Sequence, residues 1–138
     1  MKFGTVLLIQ HRARPDCRLS PWIAGRKMSD LSLVHAALGR VVDPCSIATG
    51  APISLVEMGM VKDVVEDAGT VRITLRLTSP ICWQAANIVA KVEEVVRAVP
   101  AVSAVECRLD PNSDWMPDMI AESAQARLRQ LRPLSPKV

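Results

Sequence analysis

Four cysteines carry most of the chemistry this sequence can offer: Cys17, Cys45, Cys82 and Cys107. A thiolate is a nucleophile and a soft metal ligand, so the first question is whether their spacing forms a metal framework. The intervals are 28, 37 and 25 positions, no two are in a C-x-x-C pair, and only His11 and His35 could assist. That is not a zinc-finger pattern. Cys82 stands out by its surroundings, since it follows Thr78-Ser79-Pro80-Ile81 directly after an alternating run. Ser79 reads as a helix N-cap and Pro80 as the first helical residue, which makes Cys82 the third. At that place free backbone N–H groups and the helix dipole favour a thiolate. The other reading of Cys82 is a small apolar residue that packs the helix start. Cys107 lies in an alternating strand with Val105 and Leu109 and reads as core.

Elements must place those thiols. Ser29 or Asp30 caps a first helix carrying Leu31, Val34, Leu38 and Val41, which Pro44 stops. A loop from Asp43 to Pro52 holds Cys45. Ile53 to Val56 is extended, and Gly59 in Glu57-Met58-Gly59-Met60 marks a positive φ or a close approach. Strands over Val61–Glu66 and Thr70–Leu77 flank Asp67-Ala68-Gly69, a hairpin signature. A long helix from Pro80 to about Val99 bears an apolar stripe that starts at Ile81, and a strand from Val102 to Leu109 follows. After a turn-rich loop from Asp110, Trp115-Met116-Pro117-Asp118 opens a last helix ending near Leu131.

The order helix-strand-strand-helix-strand-helix predicts an α+β fold, a small two-layer sandwich with helices on one face of a mixed sheet. The hairpin strands pair antiparallel, and the third strand can join in parallel through a right-handed crossover. The domain spans residues 29–132. Residues 1–28 form a basic N-terminal extension, and 133–138 a C-terminal tail with two prolines. Three readings of the extension stand open: a flexible arm, a partner-docking tail with Trp22, or upstream sequence with Met28 as the true start.

Composition narrows the function. The chain has 138 residues and a formal net charge of +3. Residues 1–28 hold six basic residues against one acidic, so 29–132 with its tail is mildly acidic, at 11 basic and 13 acidic. Such a body lacks the clustered Lys and Arg of a phosphate-backbone binder. Three Trp, one Phe and no Tyr leave few platforms for stacking single-stranded bases. Nucleic acid is therefore not an expected partner. The apolar run Gly4–Ile9 is too short to span a membrane and lacks a signal-peptide cleavage pattern, so free thiols in a reducing cytoplasm are expected. Neither G-x-G-x-x-G nor a P-loop occurs.

Four separated stretches resemble one family, the small iron-sulfur assembly domain shared by SufT and PaaD proteins and a eukaryotic cytosolic iron-sulfur targeting factor. Val42-Asp43-Pro44 is similar to its V-x-D-P-E, Glu57-Met58-Gly59-Met60-Val61 to its D-L-G-L-V, and Leu77-Thr78-Ser79-Pro80-Ile81-Cys82 to its L-T-x-x-x-C. Asp110-Pro111 with Trp115-Met116-Pro117-Asp118 is similar to its D-P-x-W-x-P-D. The resemblance covers residues 31–131. It implies an accessory, non-catalytic factor in metal-sulfur cluster assembly or targeting, with Cys82 as the functional thiol and a metal ligand. It also implies site-lining roles for Asp43, Glu57, Gly59, Thr78, Ser79, Trp115 and Asp118. The implied cargo is a transient iron-sulfur cluster or iron, with no tightly bound cofactor. Implied partners are iron-sulfur or iron client proteins and assembly machinery, and one specialised form would serve a multicomponent oxygenase. One cysteine cannot hold a cluster, which takes four ligands, so Cys82 needs a partner protein, small thiols or a second subunit as in a homodimer. Two departures matter: Cys45 replaces the family's Glu, which offers a second thiol if the loop folds back, and Trp83 follows Cys82 where Pro is common. The competing classes are a cysteine-nucleophile enzyme, for which His35 is the one histidine in the domain, and an adaptor docking through its basic tail.

Overall fold

A computed structural model of the chain describes residues 29–112 and 114–132. The readings of residues 1–28, including Trp22, and of the tail 133–138 lie outside the described residues. The elements in order are α1 (Leu31–Leu38), α2 (Pro44–Ala48), β1 (Val61–Asp67), β2 (Thr70–Leu75), α3 (Ala85–Arg97), β3 (Ala104–Leu109), a single 3-10 turn (Pro117–Met119) and α4 (Glu122–Leu131).

The three strands form one mixed sheet in the order β1-β2-β3, antiparallel between β1 and β2 and parallel between β2 and β3. The β1–β2 turn, Ala68-Gly69, holds both residues at positive φ (51° and 87°), the geometry that matches the twist of a tight hairpin. β1 carries a bulge at Lys62, between the pairs Val61–Leu75 and Asp63–Thr74. The extra residue lets Val61 and Val64, three apart, both pack on the core, which strict alternation forbids.

Val71, Ile73 and Leu75 on one sheet face meet Ile88, Val92 and Val96 of α3 and Val34, Ala37 and Leu38 of α1 in one buried cluster. Both helices thus cover one face, and the α+β architecture is as the sequence predicts. The opposite face stays polar, with Arg72 beside Glu106 (3.4 Å) and Arg108 beside Glu106 (3.1 Å).

Three local expectations are corrected. The segment after Asp43 is not a loop but α2, with Asp43 accepting from the Ser46 N–H (2.7 Å) as its N-cap and Pro44 in the first turn. Pro44 therefore starts a helix rather than stopping α1, which ends at Leu38. Second, α3 begins at Ala85 with Gln84 as its N-cap. Ser79 is no helix cap; its hydroxyl accepts from the Ile81 N–H (3.4 Å) inside a local turn. Ile81 accordingly leaves the buried stripe and faces solvent. Third, Asp118 sits in the 3-10 turn, and the last helix starts only at Glu122.

Candidate functional site

The Glu57–Met60 stretch is the hub on which one wall of the site is built. Gly59 has φ +72°, and a Cβ there would meet the backbone and side chain of Met119 at or below 3.0 Å. No side chain fits without moving the 3-10 turn. Around Gly59 the chain makes three ties to the closing segment. The Trp115 indole N–H donates to the Met58 carbonyl (2.7 Å), the Ala121 N–H donates to the Glu57 carbonyl (2.7 Å), and Arg127 makes a two-pronged pair with the Glu57 carboxylate (2.9 and 3.0 Å). The Arg127 guanidinium holds the Glu57 carboxyl far below its usual range, at about 2. Lys62 pairs with Asp110 and, at 3.2 Å, with Asp114, so the bulged residue of β1 pins the loop that leads into Trp115.

Against this wall lies a cleft of about 380 Å³. Asp43 and Cys45 line it from α2 and its cap, Thr78 from the loop after β2, Trp115 from the closing segment, and Arg132 from the end of α4. Its apolar floor includes Ile53 and Met58. The Asp43 carboxylate is buried because it caps α2, and the Ser46 hydroxyl donates to the Asp43 carbonyl (2.6 Å) while accepting from the Ile53 N–H (2.9 Å). These bonds fix Cys45, the second residue of α2, at the cleft edge, where it is exposed.

Cys82 does not line the cleft, and it is not in the first turn of a helix. It lies in the turn before Gln84, half-buried against the core, with its carbonyl accepting from the Ala85 N–H (3.3 Å). The helix-dipole argument for its thiolate lapses, since that field falls off within the first helical turn. The two thiols nevertheless share a neighbourhood. Thr78, on the same loop as Cys82, faces the cleft with Cys45. Desolvation of the sulfur pushes the Cys45 thiol up, and negative charge on Asp43 and on Cys82 pushes it further. Cys107 is different: it is half-buried on the core side of β3, and burial, with Glu93 nearby, raises it to about 11.

Of the residues singled out in the sequence, the cleft brings together Asp43, Cys45, Thr78 and Trp115. Glu57 and Gly59 stand behind its wall as supports, while Ser79 and Asp118 are exposed and do not line it. His35 is exposed on α1 and is not a lining residue, which leaves no histidine base at the cleft among the described residues. Sequence reasoning missed Arg127 as the partner of Glu57 and Arg132 as a lining residue, since only the fold shows what they face. Among the described residues, no group of three or more His, Cys, Asp or Glu is placed to hold a metal ion. Cys45 lines the cleft and Cys82 lies on the loop that lends it Thr78, so the thiols here fall short of the four ligands of a closed cluster site.

The iron-sulfur cluster assembly protein family model matches residues 32–107, more than half of the chain. This chain belongs to that family. The match runs from α1 through Cys107 and so contains Asp43, Cys45, the Glu57 hub and Cys82. Among similar proteins, the Fe-S protein maturation auxiliary factor YitW of Bacillus subtilis is 31% identical over 96 residues, covering 69% of this chain and 89% of that protein. An iron-sulfur cluster carrier protein of Synechocystis is 40% identical over 68 residues, covering 47% of this chain but 19% of the carrier. The chain thus spans about a fifth of the length of the carrier proteins it matches, to which family membership extends through this one domain. A crystal structure of a domain of unknown function, DUF59, from Bacillus anthracis superposes with a TM-score of 0.63 at 30% identity, covering 72% of this chain and 90% of that one. Among the described residues no helix is long and apolar enough to cross a membrane.

Proposed function

We propose that this protein is an accessory factor, not an enzyme, that receives iron or an iron-sulfur cluster at Cys82 and Cys45 and passes it to a client protein. Family membership supports the cargo, and relatives named as carriers and maturation auxiliary factors support the role. The observation that carries the reading is geometric: Thr78, on the loop that carries Cys82, and Cys45 line the same cleft, which brings two thiol-bearing segments to one edge.

The chemistry is ligand exchange. Iron binding displaces the thiol protons, because a coordinating sulfur is a thiolate. Burial raises the Cys45 thiol above its ordinary value, so displacement of its proton becomes easier as pH rises, and loading releases protons to solvent. Two thiols leave about half of a cluster's four ligand positions open to the client, to small thiols or to a second subunit. On transfer, client thiolates form bonds to iron as the bonds to Cys82 and Cys45 break. The iron keeps its charge, and each released thiolate takes a proton from water.

The test compares metal content of iron-sulfur proteins in cells carrying Cys82→Ala, Cys45→Ala or Cys107→Ala. The expected result is reduced loading with the first two variants and parental loading with the third. Unchanged loading of every iron-sulfur protein with Cys82→Ala overturns the reading.

A further inference from the structure

The Thr78–Trp83 loop exposes the largest apolar side chain among the described residues beside a thiol. Trp83 is 95% exposed and Ile81 78%, while Cys82 between them turns in against the core. An exposed indole makes no contribution to the fold that would account for it, and such a residue marks an interaction surface when other apolar groups join it.

We propose that Trp83, with Ile81, is the anchor by which this chain docks a client protein over Cys82, the client presenting an uncharged apolar concavity beside its own metal-accepting cysteines. The proposal rests on the cargo-transfer reading above. Its logic is spatial, since exchange of ligands on one iron requires client thiolates to reach the atom that Cys82 holds. Whatever surface does so must cover the residues on either side of Cys82.

Charge and area select the occupant. From Thr78 to Ala90 the chain carries no charged side chain, so the patch offers no ionic steering. A lipid surface is disfavoured because interfacial binding pairs an indole with Lys or Arg on the polar side, and none stands in this stretch. A second copy of this chain is disfavoured by area. Trp83 and Ile81 together present on the order of 300 Å², less than half of the ~800 Å² per partner of a stable complex. That suits a transient complex, which a transfer partner must form and leave. An aromatic anchor entering a partner pocket is the side chain that most often dominates such small interfaces.

The test places a photo-crosslinking benzoylphenylalanine at position 83 of the full chain in cells that naturally produce it, alongside Trp83→Ala, Trp83→Phe and Cys82→Ala. Expected are crosslinks to a protein with cysteine-ligated iron and at least a fivefold fall in that protein's iron content with Trp83→Ala, with Trp83→Phe restoring much of it. Purified Trp83→Ala should keep its unfolding midpoint and the alkylation rate of Cys82 within twofold. Crosslinks only to a second copy, only to lipid or to nothing overturn the proposal, as does normal iron content with Trp83→Ala. If Cys82→Ala lowers client iron and Trp83→Ala does not, docking through Trp83 fails while the transfer reading survives. If neither does, both fail.

Discussion

The two loops that border the thiol edge are held in opposite ways. Glu57–Met60 is tied on several sides, by the Trp115 N–H at Met58, the Ala121 N–H and Arg127 at Glu57, and the close approach of Met119 to Gly59. Among the described residues, Thr78–Trp83 makes only its own turn: the Ser79 hydroxyl bonds to Ile81, and the Cys82 carbonyl accepts from Ala85. Its side chains, other than Cys82, face solvent. The first loop is a fixed wall and the second is the arm that carries the thiol. On the proposed transfer reading that division is useful, because a wall preserves the cleft while a lightly held arm can be covered and released.

Substitutions can break or sharpen this contrast. Gly59→Ala should have the largest effect, since it strains a φ of +72° and drives a methyl group into Met119. A loss of about 2–3 kcal/mol is expected, read as a lower urea midpoint. Acid should act on the same wall more gently through Glu57. Its folded-state value of about 2 lies below the usual 4.5, so its contribution is full above 4.5 and is lost as pH falls from there towards 2. Arg127 is exposed, so solvent screening keeps the effect small, and urea midpoints in Glu57→Gln should show a shallower acid decline than the parent. Smallest of all, Ile81→Ser in the thiol arm should stay within about 0.5 kcal/mol of the parent, also by urea midpoint. An Ile81→Ser loss as large as that of Gly59→Ala would erase the distinction between wall and arm.

Much of the fold is legible in the sequence for local reasons. Alternation in Val71, Ile73 and Leu75 and a Gly-containing turn specify the hairpin, and the length of the crossover leaves β3 free to pair in parallel. The start of α3 is not legible, because Ser79-Pro80 has the chemistry of a helix start and Ile81 continues the stripe of Ile88 and Val92. Length decides against it. A 13-residue α3 and a six-residue β2 each run roughly 20 Å, so an extra turn would pass the end of the sheet with nothing to cover. Asp43-Pro44 is the reverse case: a helix start was spelled out, but five residues carry too little periodicity to show it. At the site, the approach of Cys45 to the Cys82 loop depends on how α2 is hung from Asp43 and Ile53, a long-range arrangement that spacing does not encode. The pairing of Glu57 with Arg127 spans 70 positions and was equally hidden.

The central claim is that Cys45 and Cys82 act as one two-thiol site while Cys107 stands apart. Anaerobic titration of the purified full chain with ferrous iron at pH 8, compared across Cys45→Ser, Cys82→Ser, their double variant and Cys107→Ser, tests it directly. The account predicts that either single variant weakens binding by about tenfold or more, ~1.4 kcal/mol, that the double variant costs less than the sum of the two, and that Cys107→Ser matches the parent. Binding that survives loss of both Cys45 and Cys82, or that depends on Cys107, would contradict it.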